Sequence, residues 1–80
     1  MSKRNSLSAE AQLQALLKEV RNEAGLRQAD LAERLGQPQS FVSKFESGER
    51  RLDILELRQV CQALGIPLHE FVRRLEERLE

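Results

Sequence analysis

Apolar residues recur along the chain at helical spacing, in stretches separated by glycine or proline. Leu13, Leu16, Leu17, Val20 and Ala24 follow at steps of mostly three and four residues, which lays them along one face of a helix. Ser8 is the predicted N-cap, with Glu10 in the first turn, and Gly25 supplies the stop. A second, shorter helix runs from Gln28 to Leu35 with Ala29, Leu31, Ala32 and Leu35 directed inward, and Gly36 ends it. The third opens at Pro38, whose missing N–H costs nothing in a first turn, and closes at Gly48. Asp53 has the character of an N-cap for a fourth helix, which carries Leu57, Val60, Cys61 and Leu64 and stops at Gly65. Ile66-Pro67 leads into a fifth, from Leu68 to near the end. No run alternates β-branched and aromatic with polar residues as a strand would. The pattern predicts an all-α, compact five-helix domain with short links.

The second and third helices are too short to bury themselves alone, and a tight glycine-containing link joins them. That is the size and layout of a helix-turn-helix, in which the second helix of the pair enters the major groove of DNA. The third helix is divided accordingly. Val42 and Phe45 occupy one side, while Gln39, Ser40, Ser43, Lys44 and Ser47 line the other. Apart from Lys44 that outer face carries little charge, unlike the fifth helix, which is dense with Arg and Glu. Short amide, hydroxyl and ammonium side chains are the groups that read base edges: Gln pairs with adenine, Lys with guanine, Ser with either. Read as a solvated face, the same residues would carry no information.

Composition narrows the classes. The chain has 80 residues, 40% hydrophobic and 32% charged, which suits one charge-covered domain. No apolar run is long enough for a membrane span, and residues 1–7 are polar, so a flexible tail is expected there rather than a secretory signal. One cysteine, Cys61, cannot form an internal disulfide and fits a reducing, cytoplasmic setting. It falls on the apolar stripe of the fourth helix and is expected in the core. His69 is the sole histidine. With no carboxylate or thiol cluster beside it, no metal is expected. No nucleophile has a base partner and no glycine-rich phosphate loop is present, so neither an enzyme nor a cofactor is predicted.

The formal net charge is zero, which counts mildly against nucleic acid as a partner. The distribution matters more than the sum. Arg27, Lys44, Arg50 and Arg51 fall on or beside the candidate DNA face, with Lys3 and Arg4 as a possible basic arm, whereas Glu56, Glu70, Glu76, Glu77 and Glu80 lie elsewhere.

The stretch Leu26-Arg-Gln-Ala-Asp-Leu-Ala-Glu-Arg-Leu-Gly36, then Gln39-Ser-Phe-Val-Ser-Lys-Phe-Glu-Ser-Gly48, and finally Ala63-Leu-Gly-Ile66 resembles the Cro/C1-type (XRE) helix-turn-helix family of phage and bacterial repressors. The resemblance spans roughly Leu17 to Phe71. It implies a lambda-repressor-like fold and a homodimer on a palindromic double-stranded DNA operator, in a bacterial or phage, nucleoid-associated setting. It further implies that Gln39, Ser40 and Lys44 read bases, with Ser43 on the same face, and that Gln28 hydrogen-bonds a phosphate. Arg21 and Glu46 match a partly buried ion pair that ties the first helix to the end of the third. Phe41 matches a position near the sugar-phosphate backbone; from the residues alone it is equally a core side chain or a contact to a thymine methyl. Arg27 and Pro38 depart from the family's usual Ser or Thr. Arg27 gives up a side-chain cap and offers a cation to phosphate, and Arg50 and Arg51 offer two more.

The predicted organisation is therefore a tail over 1–7, a helix-turn-helix DNA-binding domain over 8–67 and a C-terminal helix over 68–80. Leu68, Phe71, Val72, Leu75 and Leu79 form one stripe on that last helix. Leu68, Phe71 and Val72 are expected to cover the core, and Phe71, Leu75 and Leu79 to form a dimer seam flanked by Arg73, Arg74, Glu76, Glu77 and Arg78. The alternative is a helix lying on its own domain. The competing function is a protein-interaction module of the same fold, such as an antitoxin or bridging factor.

Overall fold

A computed structural model describes residues 8–80; the expected tail over 1–7 and the Lys3–Arg4 arm lie outside the described residues. The helices are α1 (Ala9–Glu23), α2 (Gln28–Leu35), α3 (Gln39–Ser47), α4 (Ile54–Leu64) and α5 (Leu68–Leu79), and no strand occurs among the described residues. The all-α, five-helix expectation holds.

Local chemistry sets the boundaries. Ser8 Oγ accepts from the Ala11 N–H at 3.0 Å. Asp53 and Glu56 form a reciprocal capping box: the Glu56 N–H donates to Asp53 Oδ1 at 2.7 Å, and the Asp53 N–H donates to Glu56 Oε1 at 3.0 Å. Arg27, whose guanidinium has no acceptor, caps nothing; instead its own N–H donates to Asp30 Oδ2 at 2.9 Å. Pro38 stands one residue earlier than the sequence pattern suggests. With ψ at 157° it is the extended N-cap of α3 rather than its first helical residue.

Gly48 ends α3 at φ +91°, and a Cβ there would lie 2.7 Å from the side-chain nitrogen of Gln14 on α1. Glycine is thus required by the left-handed backbone, while the nearby Gln14 amide is the far end of a flexible side chain that can give way.

One core joins all five helices. Leu16, Leu17 and Val20 of α1 meet Leu31 and Ala32 of α2, Val42 and Phe45 of α3, Leu57, Val60, Cys61 and Leu64 of α4, and Phe71 of α5. α3 rests on α2 and α1, whereas α5 rests on α1 and α4.

The last helix covers the core through Leu68 and Phe71 as expected, but Phe71 departs from the expected seam. Phe71 is fully buried in its own domain and presents no surface to a second copy. Leu75 packs against the same core, leaving Leu79 as the exposed end of the stripe. Arg74 and Arg78 turn to α1 rather than to a seam: Arg74 donates to both carboxylate oxygens of Glu23 at 3.0 Å, and Arg78 reaches Gln12 Oε1 at 2.9 Å and Glu19 Oε1 at 2.7 Å. The reason is size. In so small a domain the Phe71 side chain is part of the common core and Leu68 and Leu75 pack against it, so the apolar face of α5 is used within its own chain.

Candidate nucleic-acid interface

α2 and α3 are joined by Gly36, Gln37 and Pro38. Gly36 in the left-handed region at φ +67° turns the chain sharply enough for α3 to cross α2. Burial of Val42 and Phe45 fixes the rotation of α3 about its axis. That rotation leaves Gln39, Ser40 and Lys44 exposed and Ser43 half-buried. The four candidate reading residues therefore share the outer side of one short helix.

Their free valences differ. The Ser43 hydroxyl donates to the Ser40 carbonyl at 3.2 Å, and Ser47 does the same to Lys44 at 3.1 Å. The Ser40 hydroxyl makes no hydrogen bond among the described residues, and no carboxylate among them pairs with Lys44. Lys44 is thus an uncompensated cation in the middle of the outer face.

Behind that face lies a chain of polar contacts. Arg21 Nε donates to Glu46 Oε2 at 2.6 Å and Nη2 to Oε1 at 3.0 Å, while Nη1 donates to the Leu26 carbonyl at 2.8 Å. The two side chains retain only 8% and 4% exposure. A bidentate pair of this kind, with further hydrogen bonds on both partners, ties α1 to the end of α3. Gln28 Nε2 donates to the same Glu46 Oε1 at 3.0 Å, and Gln39 Nε2 donates to Gln28 Oε1 at 3.4 Å. The Gln28 side chain is thereby oriented from both ends, and the first residue of α3 is linked through it to a charge buried under α1. The sequence reading placed Gln28 and Gln39 on the face but missed their contact. Its signal is the presence of two amides at the starts of two helices that cross at a three-residue link.

The three arginines expected at phosphate are engaged. Arg27 pairs with Asp30 at 3.0 Å, and the guanidinium pulls the Asp30 carboxyl down to about 2. Arg51 pairs with Glu10 of α1. Both arginine side chains nevertheless stay more than 80% exposed, at 82% and 84%. Arg50 is different. Its guanidinium holds both oxygens of Glu56 at 3.1 and 2.8 Å and lies 4.8 Å over the Phe41 ring. Phe41 in turn meets Phe45 edge-on, with centroids 5.6 Å apart. The sequence offers Arg50 to phosphate; in the structure its guanidinium is held in a stack that links Phe41 of α3 to Glu56 of α4. Phe41 itself is half-buried and packs against the core. Arg50, through its side-chain hydrogen bonds, lowers the Glu56 carboxyl to about 2, helped by the Asp53 backbone. No sequence periodicity announces this trio, because the three residues belong to different elements.

Among the described residues no three His, Cys, Asp or Glu side chains gather as metal ligands, and no helix is long and apolar enough to cross a membrane. Burial raises the Cys61 thiol to about 11.

Comparison with known proteins places this geometry. The helix-turn-helix family HTH_3 matches residues 17–71. The chain is 34% identical over 58 residues to an uncharacterized HTH-type transcriptional regulator, y4dJ, of Sinorhizobium fredii, covering 72% of this chain and 75% of that one. An XRE-family-like protein from Pseudomonas syringae pv. tomato superposes with a TM-score of 0.81 at 45% identity, over 86% of this chain and 84% of the other. The restriction-modification controller C.Esp1396I, solved bound to a 19 base pair DNA duplex, superposes with a TM-score of 0.83 at 23% identity, over 92% of this chain and 99% of that chain, and shares the fold.

Proposed function

Because the chain belongs to the HTH_3 family of helix-turn-helix DNA-binding transcriptional regulators of XRE (Cro/C1) type, we propose that it acts as a repressor, binding a palindromic operator as a homodimer with α3 in the major groove. Family and fold are those of regulators rather than enzymes. The observation that carries the reading is the outer face of α3. There the uncompensated Lys44 stands beside Ser40 and beside Gln39, whose amide is steered by Gln28. In this reading Gln39, Ser40, Ser43 and Lys44 meet base edges. Gln28 reaches a phosphate while Glu46 holds it, and Arg27 and Arg51 exchange their exposed carboxylate partners for phosphates. Arg50 and Phe41 keep α3 at its docking angle. Two copies set their reading helices about 34 Å apart, one turn of DNA. The setting is the cytoplasm. The fold shared with C.Esp1396I, itself solved on DNA, supports the mode of presentation.

The test begins with selection of bound sites from a random duplex pool, which should return an inverted repeat. On the recovered site Lys44→Ala and Gln39→Ala should each lose about 1–3 kcal/mol, with little change on random duplex. Affinity should fall with salt at about −0.9 per phosphate neutralised. Equal losses on both duplexes would remove the base-reading role.

A further inference from the structure

The most exposed large apolar side chains among the described residues are at the start of α4. Ile54 is 60% and Leu55 69% exposed, against 39% for Leu79 at the end of α5. The pair is held rigidly. It forms the first turn of a helix closed at its N-terminus by the Asp53–Glu56 box, with Leu57, Val60 and Cys61 buried on the inner side. One turn further on stands Arg58, exposed, with no carboxylate partner among the described residues. By contrast Arg21, Arg27, Arg50, Arg51, Arg73, Arg74 and Arg78 each hold one.

We propose that this surface seats a second copy of the chain, with the two α4 helices crossing antiparallel near Leu55. The inference rests on the homodimer reading above and gives it a location other than α5. What favours a second copy is self-complementarity, which any two-fold contact requires. Asp53 and Arg58 lie on either side of Leu55, two and three residues away. An antiparallel crossing at Leu55 therefore sets Asp53 of each copy against Arg58 of the other, with the four apolar side chains enclosed between two ion pairs. Arg58 gains the carboxylate it lacks, and Ile54 and Leu55 lose their exposure. The position also suits the operator. α4 begins directly after the loop that leaves α3, so an axis there holds the two outer faces of α3 side by side.

Sedimentation of the full chain tests this across the micromolar range, with the far-ultraviolet spectrum as the check on folding. The wild type should be a dimer. Leu55→Glu and Ile54→Lys, both at exposed positions, should raise the dimer dissociation constant at least tenfold, and Arg58→Glu should raise it severalfold. Leu79→Glu should leave it unchanged. A wild type that remains monomeric overturns the homodimer reading itself. A dimer that survives Leu55→Glu, or one that Leu79→Glu separates, overturns the α4 interface and leaves the homodimer standing.

Discussion

Glu46→Ala is the substitution with the sharpest physical expectation. In the native chain Glu46 accepts three hydrogen bonds, two from Arg21 and one from Gln28. Its removal strands a guanidinium that is 8% exposed and leaves only the Leu26 carbonyl as its acceptor. Breaking a buried pair by deleting one member costs about 3–5 kcal/mol, because the surviving charge stays desolvated. A domain of 80 residues is stable by on the order of 4–12 kcal/mol, so the loss is a large fraction of the whole. The chain contains no Trp or Tyr, so urea unfolding should be followed by ellipticity at 222 nm. The midpoint should fall without a change of slope, and Tm should drop by more than ~12 °C. The companion variant Arg21→Met/Glu46→Leu separates the charge from the contact. With both charges gone and apolar volume in their place, most of the lost stability should return. A loss below ~1 kcal/mol for Glu46→Ala would refute the claim that the pair braces α1 against α3. So would a double variant no more stable than the single one.

Gly48→Ala should cost about 1–2 kcal/mol, since a Cβ at φ +91° is strained. Gln14→Ala should not rescue it, because the backbone and not the flexible Gln14 amide sets the cost; full rescue would contradict this. The Arg50–Glu56 pair should leave a signature in acid. The Glu56 carboxyl lies at about 2, below its ordinary value of 4.5. Its contribution to stability is therefore complete above the ordinary carboxylate range and fades as the pH falls towards 2. Glu56→Gln should flatten acid unfolding in that window, and an unchanged profile would show that the pair is not coupled to folding.

Much of the fold is visible in the sequence because its punctuation is local. Gly25, Gly36, Gly48 and Gly65 all take positive φ, and each ends a predicted helix. The helix-turn-helix was equally visible, since the division of α3 into a Val42–Phe45 side and a polar side follows from periodicity alone. Partners across helices were not, apart from the Arg21–Glu46 pair, which the family resemblance implied. Nothing in the spacing of Arg50 and Phe41 distinguishes a clamp on Glu56 from a phosphate ligand, and nothing in the α5 stripe distinguishes a seam from a lid over the core. Both depend on three-dimensional closure, which withdraws Phe71 from the surface and leaves Ile54 and Leu55 upon it. The link between Gln28 and Gln39 belongs to the same class: it depends on the crossing of two helices and not on either helix by itself.

The polar chain from Arg21 through Glu46 and Gln28 to Gln39 divides the outer face of α3 into two kinds of position under mutation. Gln39 hydrogen-bonds Gln28, so its replacement removes one of the two contacts that orient the Gln28 amide. The side chains of Ser40 and Lys44 hold no hydrogen bond or ion pair among the described residues, and the contacts from Ser43 and Ser47 go to their backbone carbonyls, so both are free to vary without disturbing the fold. Descendants of this sequence that acquire new targets should therefore change first at positions 40 and 44, and position 39 should change only together with position 28.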